Sequence, residues 1–162
     1  MKLVCFSIFM VLLLCCENND DLSLADRFMK SVKAESYDDM FLPDLRPSDI
    51  STLLNYRNNH KILSKFPANP ISSYICDSVT VGTVALRTIE SIRTSMEIKA
   101  HHEFDNFPSN PCLRDTSNKL ISKFTVLDTV AILYYNWWVK SDIRDTDKLT
   151  IDPLTPTTFR WY

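Results

Sequence analysis

Residues 71–98 read ISSYICDSVTVGTVALRTIESIRTSMEI, and the two halves of that run ask for different backbones. The first half, SYICDSVTV, is β-branched and aromatic, the composition of an extended strand. The second, VALRTIESIRTSMEI, places Leu86, Ile89, Ile92 and Met96 at steps of three and four, the apolar stripe of an amphipathic helix. Gly82, the single glycine of the chain, lies where the halves meet. Cys76 sits early in the run and Cys112 lies beyond its end. If residues 76–103 formed one straight helix, Cys76 would be about 40 Å from the far end. The segment 104–111 returns about 27 Å at most. A Cys76–Cys112 bridge therefore requires a break near Gly82 that folds ICDSVTV back along the helix, or the cysteines pair elsewhere. The break is the expectation, with a short extended segment around 74–81.

Working outward, DLSLADRFMKSVKAE (21–35) carries Leu22, Ala25, Phe28, Met29 and Val32 at helical spacing, with Asp20 or Asp21 as the expected N-cap. YDDMFLPDLRPSD reads as a loop. Pro47 or Ser48 opens a second expected helix, DISTLLNYRNNHKILSKF (49–66), whose NYRNNH centre is a poor helix former. FPANP ends it. After the turn-rich DNFPSNPC comes NKLISKFTVLDTVAILYYNWWVKSDI (118–143), with Leu120, Phe124, Leu127, Ala131, Tyr134 and Trp138 at alternating four- and three-residue steps. Ile121, Ile132, Tyr135 and Val139 flank that stripe, so this helix is expected to be buried on two sides. The expected fold class is all-α: a bundle of about four helices with one intrachain disulfide. The expected organisation is a signal at 1–16, a helical bundle over 17–145 and a proline-punctuated tail over 146–162.

The chain has 162 residues, 45% of them apolar and 23% charged, which suits one domain with a real core. A net charge of −2 leaves no electrostatic footprint for nucleic acid. With one glycine there is no phosphate-cradling loop and no dinucleotide fingerprint, and a many-hairpin β-fold is disfavoured.

Lys2 followed by LVCFSIFMVLLL has the charge and length of a secretory signal, short of the ~20 residues that span a bilayer. Cleavage beside Cys15 or Cys16 is expected, with a lipid-modified cysteine or an uncut anchor as rival readings. The protein is then secreted, with no membrane span in the mature chain. Cys76 and Cys112 remain and, in an oxidising compartment, pair most simply with each other. Such a bridge closes a loop of about 37 residues, worth roughly 3–4 kcal/mol in the chain-entropy model. No N-x-S/T sequon occurs in the chain.

Catalytic and metal motifs are sparse. HHEFD (101–105) is the only ligand-type cluster; His101 and Asp105 share a helix face at i and i+4, but two ligands do not make a site. His60 stands apart from them, Asp38 and Asp39 fall in a loop, and no GxSxG motif exists. The expectation is a protein that is not an enzyme and holds no metal and no cofactor.

The densest chemical feature is YYNWW, Tyr134 to Trp138. Tyr134 and Trp138 fall on the core stripe. Trp137 or Tyr135 must then lie on a flank, either covered by another segment or exposed as a binding patch. Tyr135, Trp137, Lys140 and Trp161 are the candidate partner-binding residues.

Trp137-Trp138-Val139-Lys140-Ser141 resembles the Trp-x-Val-Arg-Ser that ends the last helix in the ciliary neurotrophic factor and cardiotrophin branch of four-helix-bundle cytokines. That branch carries Phe-x-x-Lys about four turns earlier, where this chain has Ile121 and Phe124. The resemblance implies a secreted protein ligand, cytokine-like or a mimic or antagonist of one, for an extracellular or cell-surface protein receptor. The alternative is a secreted helical carrier of an apolar small molecule, whose large aromatics would line a cavity.

Overall fold

The computed structural model describes residues 22–39, 41–68, 78–98, 112–121, 124–140 and 145–161. Helix α1 (Leu24–Lys33) buries Ala25, Phe28, Met29 and Val32, the stripe its spacing predicts. Its cap is Ser23, whose Oγ accepts from the Asp26 backbone N–H at 3.0 Å, rather than Asp20 or Asp21, which lie outside the described residues. The helix stops where Glu35 turns to a φ of 56°, a left-handed position that chains usually fill with glycine. What holds Glu35 there is its carboxylate, which accepts from the Ser64 and Lys65 backbone N–H groups and the Ser64 hydroxyl.

The second helix is much shorter than expected. A 3-10 turn (Pro47–Asp49) leads into α2 (Ile50–Leu54), and helix gives way to turns at Asn55. Asn and Tyr in NYRNNH have too little helix propensity to carry it further. The chain instead enters β1 (Ile62–Leu63), antiparallel to β2 (Val79–Thr80), with Ile62 opposite Thr80.

Helix α3 (Val81–Ile98) leaves β2 with no intervening loop. Thr80 caps it, its Oγ1 accepting from the Thr83 N–H at 3.1 Å. Two of the free N–H groups at the helix start are met by the β1-side loop: Val81 donates to Lys61 O at 3.0 Å and Gly82 to Asn59 O at 2.9 Å. That backbone-to-backbone approach is why residue 82 is glycine. A Cβ there would sit 3.0 Å from the Arg57 carbonyl carbon and closer still to its oxygen. Gly82 therefore lies within the first turn of α3 and does not break it, because the helix begins only after the β-like run has ended. Every residue from Val79 to Glu90 is buried, so α3 is the central post, packed by α1, α2 and α4.

Beyond it, β3 (Leu113–Arg114) and β4 (Leu120–Ile121) form a hairpin. Asp115 Oδ1 accepts from the Ser117 and Lys119 N–H groups, and Asn118 takes a φ of 61°. Helix α4 (Phe124–Tyr135) continues into a single π turn (Asn136–Lys140). Then α5 (Asp145–Lys148) leads to β5 (Arg160–Trp161), which pairs with the free side of β3 to give the order β4-β3-β5.

These strands correct the all-α expectation. The described residues form helices together with two small antiparallel sheets. Leu120 and Ile121, expected at the start of the last helix, are strand residues because the Asp115–Lys119 turn brings them onto β3. Cys112, buried at the head of β3 and the only described cysteine, is disulfide-bonded; Cys76, its expected partner, lies outside the described residues. Leu149 and Leu154, within the stretch expected as a proline-punctuated tail, lie in the core.

Candidate functional site

Helix α4 has two faces with different chemistry, and a π turn follows it. A π turn inserts one extra residue into the helical repeat. Here it lets the neighbours Trp137 and Trp138 both point inward, 8% and 7% exposed, under different covers. Trp138 reaches α2, its indole N–H donating to Ser51 Oγ at 2.9 Å. Trp137 reaches α5, donating to Lys148 O at 3.0 Å. Lys148 is itself buried, its Nζ donating to Trp138 O at 2.7 Å and lying 5.2 Å from the Trp138 ring centroid.

One turn earlier, the inner face of α4 meets charge on α3. Arg93 grips Glu90 with two bonds, Nε to Oε2 at 3.0 Å and Nη2 to Oε1 at 2.7 Å. The Tyr134 hydroxyl donates to Glu90 Oε2 at 2.7 Å and accepts the Trp161 indole N–H at 2.7 Å. The Arg87 guanidinium lies 5.2 Å from the Trp161 ring centroid. Burial lowers Arg87 to about 10, opposed by the charge of Glu90. Burial first, then the Glu90 charge, raises the Tyr134 hydroxyl well above its ordinary value.

Glu90, Tyr134 and Trp161 satisfy one another within this cluster. Glu90 already accepts three donors, which leaves it poorly suited to act as a base on a substrate. Its geometry ties α3, α4 and the C-terminal strand together. Among the described residues no group of three or more His, Cys, Asp or Glu is placed to hold a metal ion. His101, His102 and Asp105 lie outside the described residues.

The outer face of α4 is different. Ile132 is 58% exposed and Val139 53%, although both flank the predicted core stripe. The loop after α2 lies over the same side. His60 Nε2 meets Asp128 Oδ1 at 3.2 Å, with both side chains half exposed. The Arg57 guanidinium lies 4.5 Å from the Tyr135 ring centroid, with Nη1 donating to Leu54 O at 2.7 Å. Ile132 is spaced four residues from Asp128 and three from Tyr135, between those two contacts. Lys140 is exposed at the end of the π turn.

Of the candidate binding residues, Tyr135 and Lys140 therefore lie on the outer side of α4. Trp137 and the half-buried Trp161 belong to the inner network. The buried charges of α3 were visible in the sequence only as Arg87, Glu90 and Arg93 at steps of three. That spacing suits a solvated helix face as well as a buried ion pair.

The chain belongs to the family described as a domain of unknown function, DUF4943, whose model matches residues 18–162. No curated protein and no solved structure gives a significant match.

Proposed function

We propose that this chain is a secreted, non-enzymatic protein that acts by binding an extracellular or cell-surface protein through the outer face of α4. One observation carries the reading: Ile132 and Val139 stand in solvent beside Tyr135 and Lys140, while Tyr134, Trp137 and Trp138 are committed to the fold. Apolar side chains presented beside an aromatic and a cation are the ingredients of a binding hot spot. Secretion is supported by the apolar run that precedes Glu17 and by a family match that begins after it.

The cytokine resemblance is not carried further. It rests on the overall organisation and on Trp137–Ser141, and the two small sheets depart from the all-α frame it implies. The carrier alternative needs a cavity among the large aromatics, yet Tyr134, Trp137 and Trp138 are hydrogen-bonded into the interior. No observation favours it.

The test is site-specific photo-crosslinking. Benzoylphenylalanine is placed at position 132 or 139 of the secreted chain, and at Lys119 on the far hairpin as a control. The chain is then exposed to intact cells of its native source. A discrete crosslinked protein from 132 and 139, and none from 119, is the expected result. Equal labelling from all three positions, or none from any, contradicts the reading.

A further inference from the structure

Charge on the outer face of α4 narrows what can dock there. Three basic side chains, those of Arg57, His60 and Lys140, come from this helix and the loop beside it, while Asp128 is the acidic residue in contact with that loop; Lys61 turns instead to α1, donating to the Lys33 carbonyl oxygen. Asp128 is engaged by His60. Arg57 spends its contacts on the Tyr135 ring and the Leu54 carbonyl oxygen, and Lys140 extends into solvent. Neither has a carboxylate partner among the described residues. Among the described residues this side is therefore basic, on a chain whose net charge is −2.

We propose that the surface formed by Ile132, Tyr135, Val139, Arg57 and Lys140 docks an acidic, apolar-faced segment of a partner protein: Leu- or Phe-type side chains on Ile132 and Val139, and carboxylates on Arg57 and Lys140. This rests on the reading of the outer face of α4 as the binding surface. A carboxylate reaching Arg57 keeps the guanidinium stacked on Tyr135, because the edge of a stacked guanidinium still offers its N–H donors. An anionic bilayer is the weaker occupant, since a chain of net charge −2 is repelled by it beyond this one patch.

The experiment is selection of a random dodecapeptide phage library on the full mature chain, with recovered peptides titrated against variants checked for native circular dichroism. Peptides that pair Asp or Glu with Leu, Ile or Phe are expected. Their binding should weaken about tenfold in Lys140→Glu, weaken with added salt, and be lost in Ile132→Asp. Basic or neutral peptides that are still lost in Ile132→Asp overturn the acidic partner but keep the face. Peptides indifferent to Ile132→Asp, or no enrichment over bare support, overturn the face itself. In parallel, sedimentation with phosphatidylcholine–phosphatidylserine vesicles should leave the chain in the supernatant. Co-sedimentation abolished by Ile132→Asp would make the occupant a membrane and end the proposal.

Discussion

The Tyr134 hydroxyl donates to Glu90 Oε2 at 2.7 Å inside the protein, joining α4 to α3. Tyr134 is fully buried and Glu90 is 7% exposed. The same hydroxyl accepts from Trp161, so the C-terminal strand hangs on that oxygen as well. A single atom thus links three parts of the chain that are far apart in sequence. Tyr134→Phe keeps the ring and removes the oxygen. It leaves the Trp161 indole N–H without its acceptor, and a loss of about 1–3 kcal/mol in urea unfolding is the expected outcome.

Glu90 carries the negative charge between Arg93 and the region of Arg87. Glu90→Gln is nearly isosteric; it removes the charge and replaces one of the two accepting oxygens by an NH2 donor. Breaking one partner out of a buried ion pair costs about 3–5 kcal/mol. The double variant Glu90→Leu/Arg93→Met should recover much of the loss, since a packed apolar pair replaces the ionic one. A double variant as unstable as Glu90→Gln would show that the charges themselves are required.

The pH dependence follows from the raised Tyr134 hydroxyl. Above about pH 10 an unfolded tyrosine gives up its proton, while folded Tyr134 keeps it. The folded state then holds more protons, and stability falls as pH rises through that window. Arg87 acts in the opposite sense: lowered to about 10, it sheds its proton in the folded state before the unfolded chain does. Tyr134→Phe should make the alkaline fall in melting temperature shallower than in the unsubstituted chain. An identical or steeper fall would count against the Tyr134–Glu90 contact.

Which parts could be read from sequence depends on where the information lies. Ala25, Phe28, Met29 and Val32 of the α1 stripe and Leu86, Ile89 and Ile92 of the α3 stripe are buried as their periodic, local spacing predicts, while Leu22 is half-buried and the Met96 side chain lies outside the described residues. The strands are two residues long, too short to carry any period. Only the turn chemistry of Asp115, Ser117 and Asn118 marked the β3–β4 hairpin. The pairing of Leu113 with Trp161 had no local mark at all.

The candidate site divides the same way. Lys140 is a charged residue at a helix end, and its exposure was readable. Trp137 lies inside because Lys148, eleven residues on, presents a carbonyl to it; Ile132 lies outside because no described segment covers it. In TVLDTVAILYYNWWV eleven of fifteen positions are apolar, on both sides of the helix, so hydropathy could not tell those two faces apart.

Gly82→Ala tests the close approach at the start of α3. In an ordinary helix this change is favourable by roughly 0.5–1 kcal/mol. Here the new Cβ meets the Arg57 carbonyl and lies 3.2 Å from Asn59 O. Overpacking of that kind costs about 1–3 kcal/mol, so the net sign should be destabilising. The shift also displaces Arg57, which would loosen its contact with Tyr135; a gain in stability would refute the packing at this point.

The most direct test of the division of α4 into a structural and a binding face is urea unfolding of Trp137→Ala beside Ile132→Asp. Trp137→Ala should lose about 3–5 kcal/mol, and Ile132→Asp should stay within about 0.5 kcal/mol of the unsubstituted chain. The reverse ranking would put Ile132 in the core and Trp137 on the surface, and the account would fail.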